Sequence, residues 1–187
     1  RGMADDYEVK GTLLRGYFAF LDEERRCDRV CAAAPSEVQA LFARRPMATD
    51  WIAGKTLEAM VDTIVTVDGP ALVRRMVLHS LNGTVARVIR PLGEGLVRLF
   101  GGTPHTMFSR METINAPLFR GLKYQYTRHS DASCGVEIRY PRAARPTASL
   151  GWEAALDMIL RGTAREPRPL RTSWRDEGRT LVFEMNW

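Results

Sequence analysis

The sequence has no run of the roughly 18 apolar residues that a membrane-spanning helix needs. Its start, Arg1-Gly2-Met3-Ala4-Asp5-Asp6, lacks the charged-then-apolar layout of a secretion signal. These two absences predict a cytoplasmic chain with no membrane span. Cysteine is scarce too: Cys27, Cys31 and Cys134 are odd in number and form no C-x-x-C pair. That excludes a disulfide framework and predicts reduced thiols. Cys27 and Cys31 stand four apart, on one face of any helix there, a spacing that suits two metal ligands or two small buried side chains.

Lysine occurs only at Lys10, Lys55 and Lys123, although the net charge is +5 and the pI near 9.4. Arginine supplies the other cations and is mostly scattered or interleaved with acids, as in Asp22-Glu23-Glu24-Arg25-Arg26. Phosphate recognition needs cations gathered on one face, so this mixed pattern reads as a solvated surface and argues against a nucleic-acid partner. The densest basic stretch, Arg161 to Arg175, falls across a loop and a predicted strand.

Catalytic signatures are missing as well. There is no G-x-x-x-x-G-K-[ST] phosphate loop, no G-x-S-x-G elbow and no H-E-x-x-H pair. Gly93-Glu94-Gly95 precedes no strand-to-helix turn of the dinucleotide kind. The reading is therefore non-enzymatic, with no cofactor expected.

What is present is 187 residues with 45% hydrophobic and 26% charged, an ordinary globular balance. No repeat or linker divides the chain, which predicts one domain over 1–187 with residues 1–8 as a flexible tail. Leu13, Leu14, Tyr17, Phe18 and Leu21 recur at helical steps after a Thr12 cap, and Ser36 with Gln39 forms a capping-box pattern. Further helices are predicted from Thr56, from Pro70, and from Thr84 to Phe100 with a kink at Pro91. Thr103-Pro104 caps a short helix carrying Met107, Phe108, Met111 and Ile114.

Alternation then replaces helical spacing. Tyr124, Tyr126 and Arg128, a turn over Ser130 to Ser133, and Val136, Ile138 and Tyr140 make a hairpin. Trp152, Ala155, Leu156, Ile159 and Leu160 mark a helix ending at Gly162. A second hairpin pairs Leu170, Thr172 and Trp174 with Leu181, Phe183, Met185 and Trp187. The predicted fold class is α+β: N-terminal helices packed on a four-stranded antiparallel sheet made of two C-terminal hairpins.

Three histidines are too separated to define a cluster. His79 lies among Met76, Val77 and Leu78, and His129 sits beside a turn. His105 opens the short helix beside Met107 and Phe108, where an imidazole suits either a heme iron or plain exposure. Met107, Phe108, Met111, Tyr124 and Tyr126 are the candidate ligand-binding residues, with Arg128 at the rim for an anionic end group. Methionine packing and a cross-strand aromatic ladder explain the same residues without a ligand.

Val9-Lys10-Gly11-Thr12-Leu13-Leu14-Arg15-Gly16, Asp50-Trp51-Ile52, Gly102-Thr103-Pro104 and Phe183-Glu184-Met185-Asn186-Trp187 carry a resemblance. The chain resembles the myxobacterial paralogous family of unknown function, within the superfamily of H-NOX heme sensors, 4-vinyl reductase type ligand-binding domains and TRAPP trafficking subunits. The resemblance implies helices on an antiparallel sheet, a cavity between them and a homodimer through the helical part. It also implies a helix histidine and a Y-x-S-x-R motif where heme is held, which His105 and Tyr124-Gln125-Tyr126-Thr127-Arg128 echo with tyrosine at the serine position. Zinc-bearing relatives place cysteines in the last hairpin, where this chain has Ser173 and no cysteine after the turn. The expected function is a sensory or adaptor domain binding an apolar, lipid-like or amphipathic small molecule. The alternatives are a protein-interaction module that meets a signalling partner without a ligand, and a heme-based gas sensor.

Overall fold

The computed structural model describes residues 6–87, 91, 95, 102–164 and 166–187. The chain starts with β1 (Glu8–Lys10), runs through α1 (Gly11–Glu23), α2 (Cys27–Ala33) and α3 (Ser36–Ala43), and returns as β2 (Trp51–Ala53). Helices α4 (Gly54–Asp68) and α5 (Pro70–Asn82) follow, then α6 (Pro104–Phe108) and α7 (Met111–Asn115). The C-terminal part holds β3 (Phe119–Arg120), β4 (Lys123–Ser130), β5 (Ser133–Arg139), α8 (Ala148–Thr163), β6 (Arg171–Arg175) and β7 (Thr180–Asn186). This is the α+β class read from the sequence.

The two hairpins form one antiparallel sheet in the order β4-β5-β7-β6. Its central pair is in register from Ser133 opposite Asn186 to Arg139 opposite Thr180. Val136, Ile138, Leu181 and Phe183 are all essentially buried, and Trp152, Leu156 and Leu160 of α8 join them in one apolar cluster. A second cluster gathers the stripes of α1, α4 and α5, including Leu14, Leu21, Met60, Ile64, Val73 and Met76. Helix α8 stands between them, because Ala154 belongs to the helical cluster while Trp152 and Leu156 belong to the sheet. Alternate faces of one helix thus hold the two cores together.

Close approach of α1 to α5 depends on Gly16, where a Cβ would lie 2.0 Å from Ser80 Oγ. That hydroxyl is buried and donates to the Leu13 carbonyl at 3.4 Å. The apolar stripes between Gly11 and Leu81 are largely taken up inside this core. Among the described residues Met47, at 58% exposure, is the large hydrophobic side chain left outside.

Several boundaries differ from the sequence reading. Within the span 1–8 expected as a flexible tail, the described residues are packed: Tyr7 is 3% exposed and Glu8 pairs with both Ala53 and Arg120. The small sheet β2-β1-β3 went unseen because strands of three, three and two residues are too short for alternation to register. Thr12 is not the cap of α1, which begins at Gly11; its hydroxyl donates to the Ala48 carbonyl at 3.0 Å. Ser36 is already inside α3, and Gln39 turns its amide to the Ala34 carbonyl at 2.9 Å, so no capping box forms. The Thr103 cap is present, its side chain accepting from the Thr106 amide at 3.2 Å. Most of the helix expected from Thr84 to Phe100 lies outside the described residues; Val85 is fully buried. No described helix is long and apolar enough to cross a membrane.

Candidate functional site

Where the two cores meet, the side chains leave a partly enclosed apolar cavity of about 80 Å³. Its walls come from Tyr7 before β1, Leu13 and Tyr17 of α1, Glu58 and Val61 of α4, Val73 and Val77 of α5, and Gly151, Trp152 and Ala155 of α8, with Tyr140 closing the sheet side. Part of the gap has a local cause. Gly151 brings no side chain, and a Cβ built there would meet nothing nearer than Val77 Cγ2 at 3.8 Å.

The walls are fixed by polar ties. Glu58, 1% exposed, accepts both ends of the Arg142 guanidinium at 3.2 and 3.0 Å and the Arg145 amide at 3.0 Å. A buried carboxylate is tolerable only when so fully paired. It fastens the segment after Tyr140 to α4. Asp157 receives the guanidinium groups of Arg74 and Arg161, joining α8 to α5. Burial pushes its carboxyl up, yet the two arginines outweigh that and hold it below the usual range.

Three tyrosines belong to the cavity lining, and their hydroxyls are not equivalent. Tyr140 accepts the Trp152 indole N–H at 2.9 Å, and its ring meets Tyr7 edge-on at 5.3 Å. The Tyr7 hydroxyl lies beside Glu58, and burial first, then its tyrosine and glutamate neighbours, raise its pKa. Tyr17 is 5% exposed and its hydroxyl has no hydrogen-bond partner among the described residues. Burial pushes this hydroxyl well above its ordinary value, so it keeps its proton and remains a donor.

Beside the cavity runs a more open apolar groove of about 250 Å³ between the ends of α5, α6, α7 and α8. Leu81, Asn115, Trp152 and Ala155 line both spaces. A third, polar hollow of about 690 Å³ surrounds His105, Arg128, Asp131, Glu166 and Trp187.

The six candidate ligand-binding residues are distributed over these places rather than bordering one pocket. Met107 and Met111 line the groove. Phe108 is fully buried in the sheet core. Tyr124 packs edge-on against Trp152 at 5.9 Å, with a buried hydroxyl that finds no partner. Tyr126 turns away to His105, and Arg128 pairs with Asp131 in the polar hollow. Sequence reading missed Tyr7, Tyr17, Glu58 and Asn115; a hydroxyl on the apolar stripe of α1 was the available signal.

His105 does not suit an iron. Its Nε2 lies 3.1 Å from the Asp131 carbonyl, which only accepts, so Nε2 carries the proton. Nδ1, 2.5 Å from the Tyr126 hydroxyl, then accepts. The ring also meets Trp187 edge-on at 4.7 Å. His79 lies against Phe20 and Glu23, and His129 is 3.0 Å from Glu184. Among the described residues no histidine, cysteine or methionine lines the cavity, and its volume is below the roughly 300 Å³ at which drug-sized ligand pockets begin. The residues around it therefore do not fit heme. Among the described residues no three of His, Cys, Asp or Glu gather in a metal-holding cluster, Cys27 and Cys31 included. The Cys27 thiol instead donates to Asp22 at 2.9 Å, and burial together with that carboxylate pushes it up to about 11.

No protein-family model and no curated protein matches the sequence. Solved structures do match the fold. An Fe(II) unliganded H-NOX protein from K. algicida has a TM-score of 0.67 at 10% identity, covering 95% of this chain and 96% of that one. An oxygen-binding H-NOX domain related to soluble guanylate cyclases, in its oxygen complex, gives 0.61 at 9% identity over 95% and 94%. A structure from a study of heme distortion in the H-NOX family gives 0.60 at 10% identity over 96% and 95%. The likeness spans nearly the whole chain, and at these identities it establishes architecture: this chain has the H-NOX fold.

Proposed function

We propose that this chain is a non-enzymatic sensory or adaptor domain that binds a small, mainly apolar molecule in the cavity between the helical core and the sheet core. The observation that carries the reading is the partly enclosed, mainly apolar cavity between the two cores, to whose lining Tyr17 brings a protonated hydroxyl that makes no hydrogen bond with a described residue. A ligand acceptor there would gain a hydrogen bond worth about 0.5–1.5 kcal/mol. The H-NOX fold supports a ligand between the two layers, while the donor set around this cavity favours an organic guest over heme.

A cavity needs roughly 10–15 Å³ per water-sized guest, so about 80 Å³ holds a molecule of around five to eight non-hydrogen atoms. Butan-2-one is a suitable probe, since its carbonyl accepts from Tyr17 and its carbon chain meets Val61, Val73 and Val77. Ligand that binds only the folded state raises the melting temperature. The expected result is a concentration-dependent rise for the wild type and a three- to tenfold weaker response for Tyr17→Phe. A melting temperature indifferent to the ketone would defeat the reading and favour a scaffold module with a filled core.

A further inference from the structure

We infer that the guest is an extended apolar chain carrying one hydrogen-bond acceptor, and that it occupies the cavity and the neighbouring groove together by displacing Leu81. This rests on the ligand-binding reading of the cavity and adds the shape and chemical class of the guest.

The wall shared by the two spaces decides which side chain can open it. Trp152 is held by its N–H bond to Tyr140 at 2.9 Å and by the rings of Phe119 at 5.0 Å and Tyr124 at 5.9 Å. Asn115 is tied by its amide to the Met111 carbonyl at 2.9 Å. Ala155 has only a methyl group to offer. Leu81 is half-buried near the C-terminal end of α5, and an aliphatic side chain changes rotamer without breaking any hydrogen bond. It is the door.

What lies beyond the door is suited to carbon. The groove is lined by Met107, Met111 and Met158 together with Ala86, Ile114 and Ile159, and thioether side chains reshape around apolar guests at low cost. Its volume of about 250 Å³ exceeds the 80 Å³ inside, so a chain that fills the cavity has further apolar surface to bury. The position of the donor sets the position of the acceptor. Helices α1 and α5 touch where Gly16 meets Ser80, and Tyr17 and Leu81 are the next residues along each. Both residues line the cavity, so a guest that meets the Tyr17 hydroxyl and passes Leu81 carries its acceptor within a carbon chain, as in a ketone or an ether.

A series from butan-2-one to nonan-2-one, titrated calorimetrically, tests this. Each additional buried methylene is worth roughly fourfold in affinity. The inference expects that gain to continue past hexan-2-one, where the cavity alone is full, and to stop there in Ala86→Phe, whose ring fills the groove. A plateau or loss beyond hexan-2-one in the wild type, with butan-2-one still bound, would overturn the two-compartment guest and leave the cavity site standing. Failure to bind any ketone would remove the site itself.

Discussion

The cavity between the two cores and the hollow around His105 differ in what their polar atoms are doing. In the hollow, His105 joins Tyr126 to the Asp131 carbonyl, and Arg128 pairs with the Asp131 carboxylate. Every one of these groups is answered by another. In the cavity the lining is mostly carbon, and the Tyr17 hydroxyl is unanswered among the described residues. A satisfied polar cluster is what a fold builds to fix a hairpin end, whereas a donor left unpaired beside an apolar cavity is available to a guest. On the proposed reading the larger hollow is a structural feature and the smaller cavity the binding site.

Helix α6 offers the strongest way to test that division, because it carries His105 to the hollow, Met107 to the groove and Phe108 to the sheet core. Phe108→Ala should lower unfolding free energy by about 3–5 kcal/mol in denaturant, while half-exposed Met107→Ala should cost under about 1 kcal/mol. Near-equal losses would mean that the groove is packed core. Tyr126→Phe removes the bond to His105 and should cost about 1 kcal/mol without changing ketone affinity. Loss of ketone binding in Tyr126→Phe would exchange the roles of the two places. Gly151→Ala acts in the opposite direction: a methyl group enters open space in the cavity on a helix interior, so stability should rise by about 0.5–1 kcal/mol while ketone binding weakens.

The sheet was legible because its alternation is strong: Val136 and Ile138 against Leu181 and Phe183 leave one face for the core, and both hairpins follow from their turn residues. The stripes of α1, α4 and α5 were legible for the same reason at helical period. The site was less so. Tyr124, Tyr126 and Arg128 share one face of β4, but strand partners and a neighbouring helix decide what each meets, and Tyr126 is drawn to His105 from α6. Tyr17 reads as one more apolar residue of its stripe. That its hydroxyl lacks a partner depends on the packing of α1 against α5 and on the gap at Gly151, neither of which spacing along the chain encodes. Glu58 is likewise a charged residue on an otherwise apolar helix face, and its partner Arg142 lies 84 positions away.

The most direct test is diffraction from crystals pressurised with xenon, which enters dry apolar cavities and binds there by dispersion. The account expects xenon between Tyr17, Val77 and Trp152, with none beside His105. Xenon in the His105 hollow alone, or a cavity closed by shifted side chains with no xenon in it, would contradict the assignment.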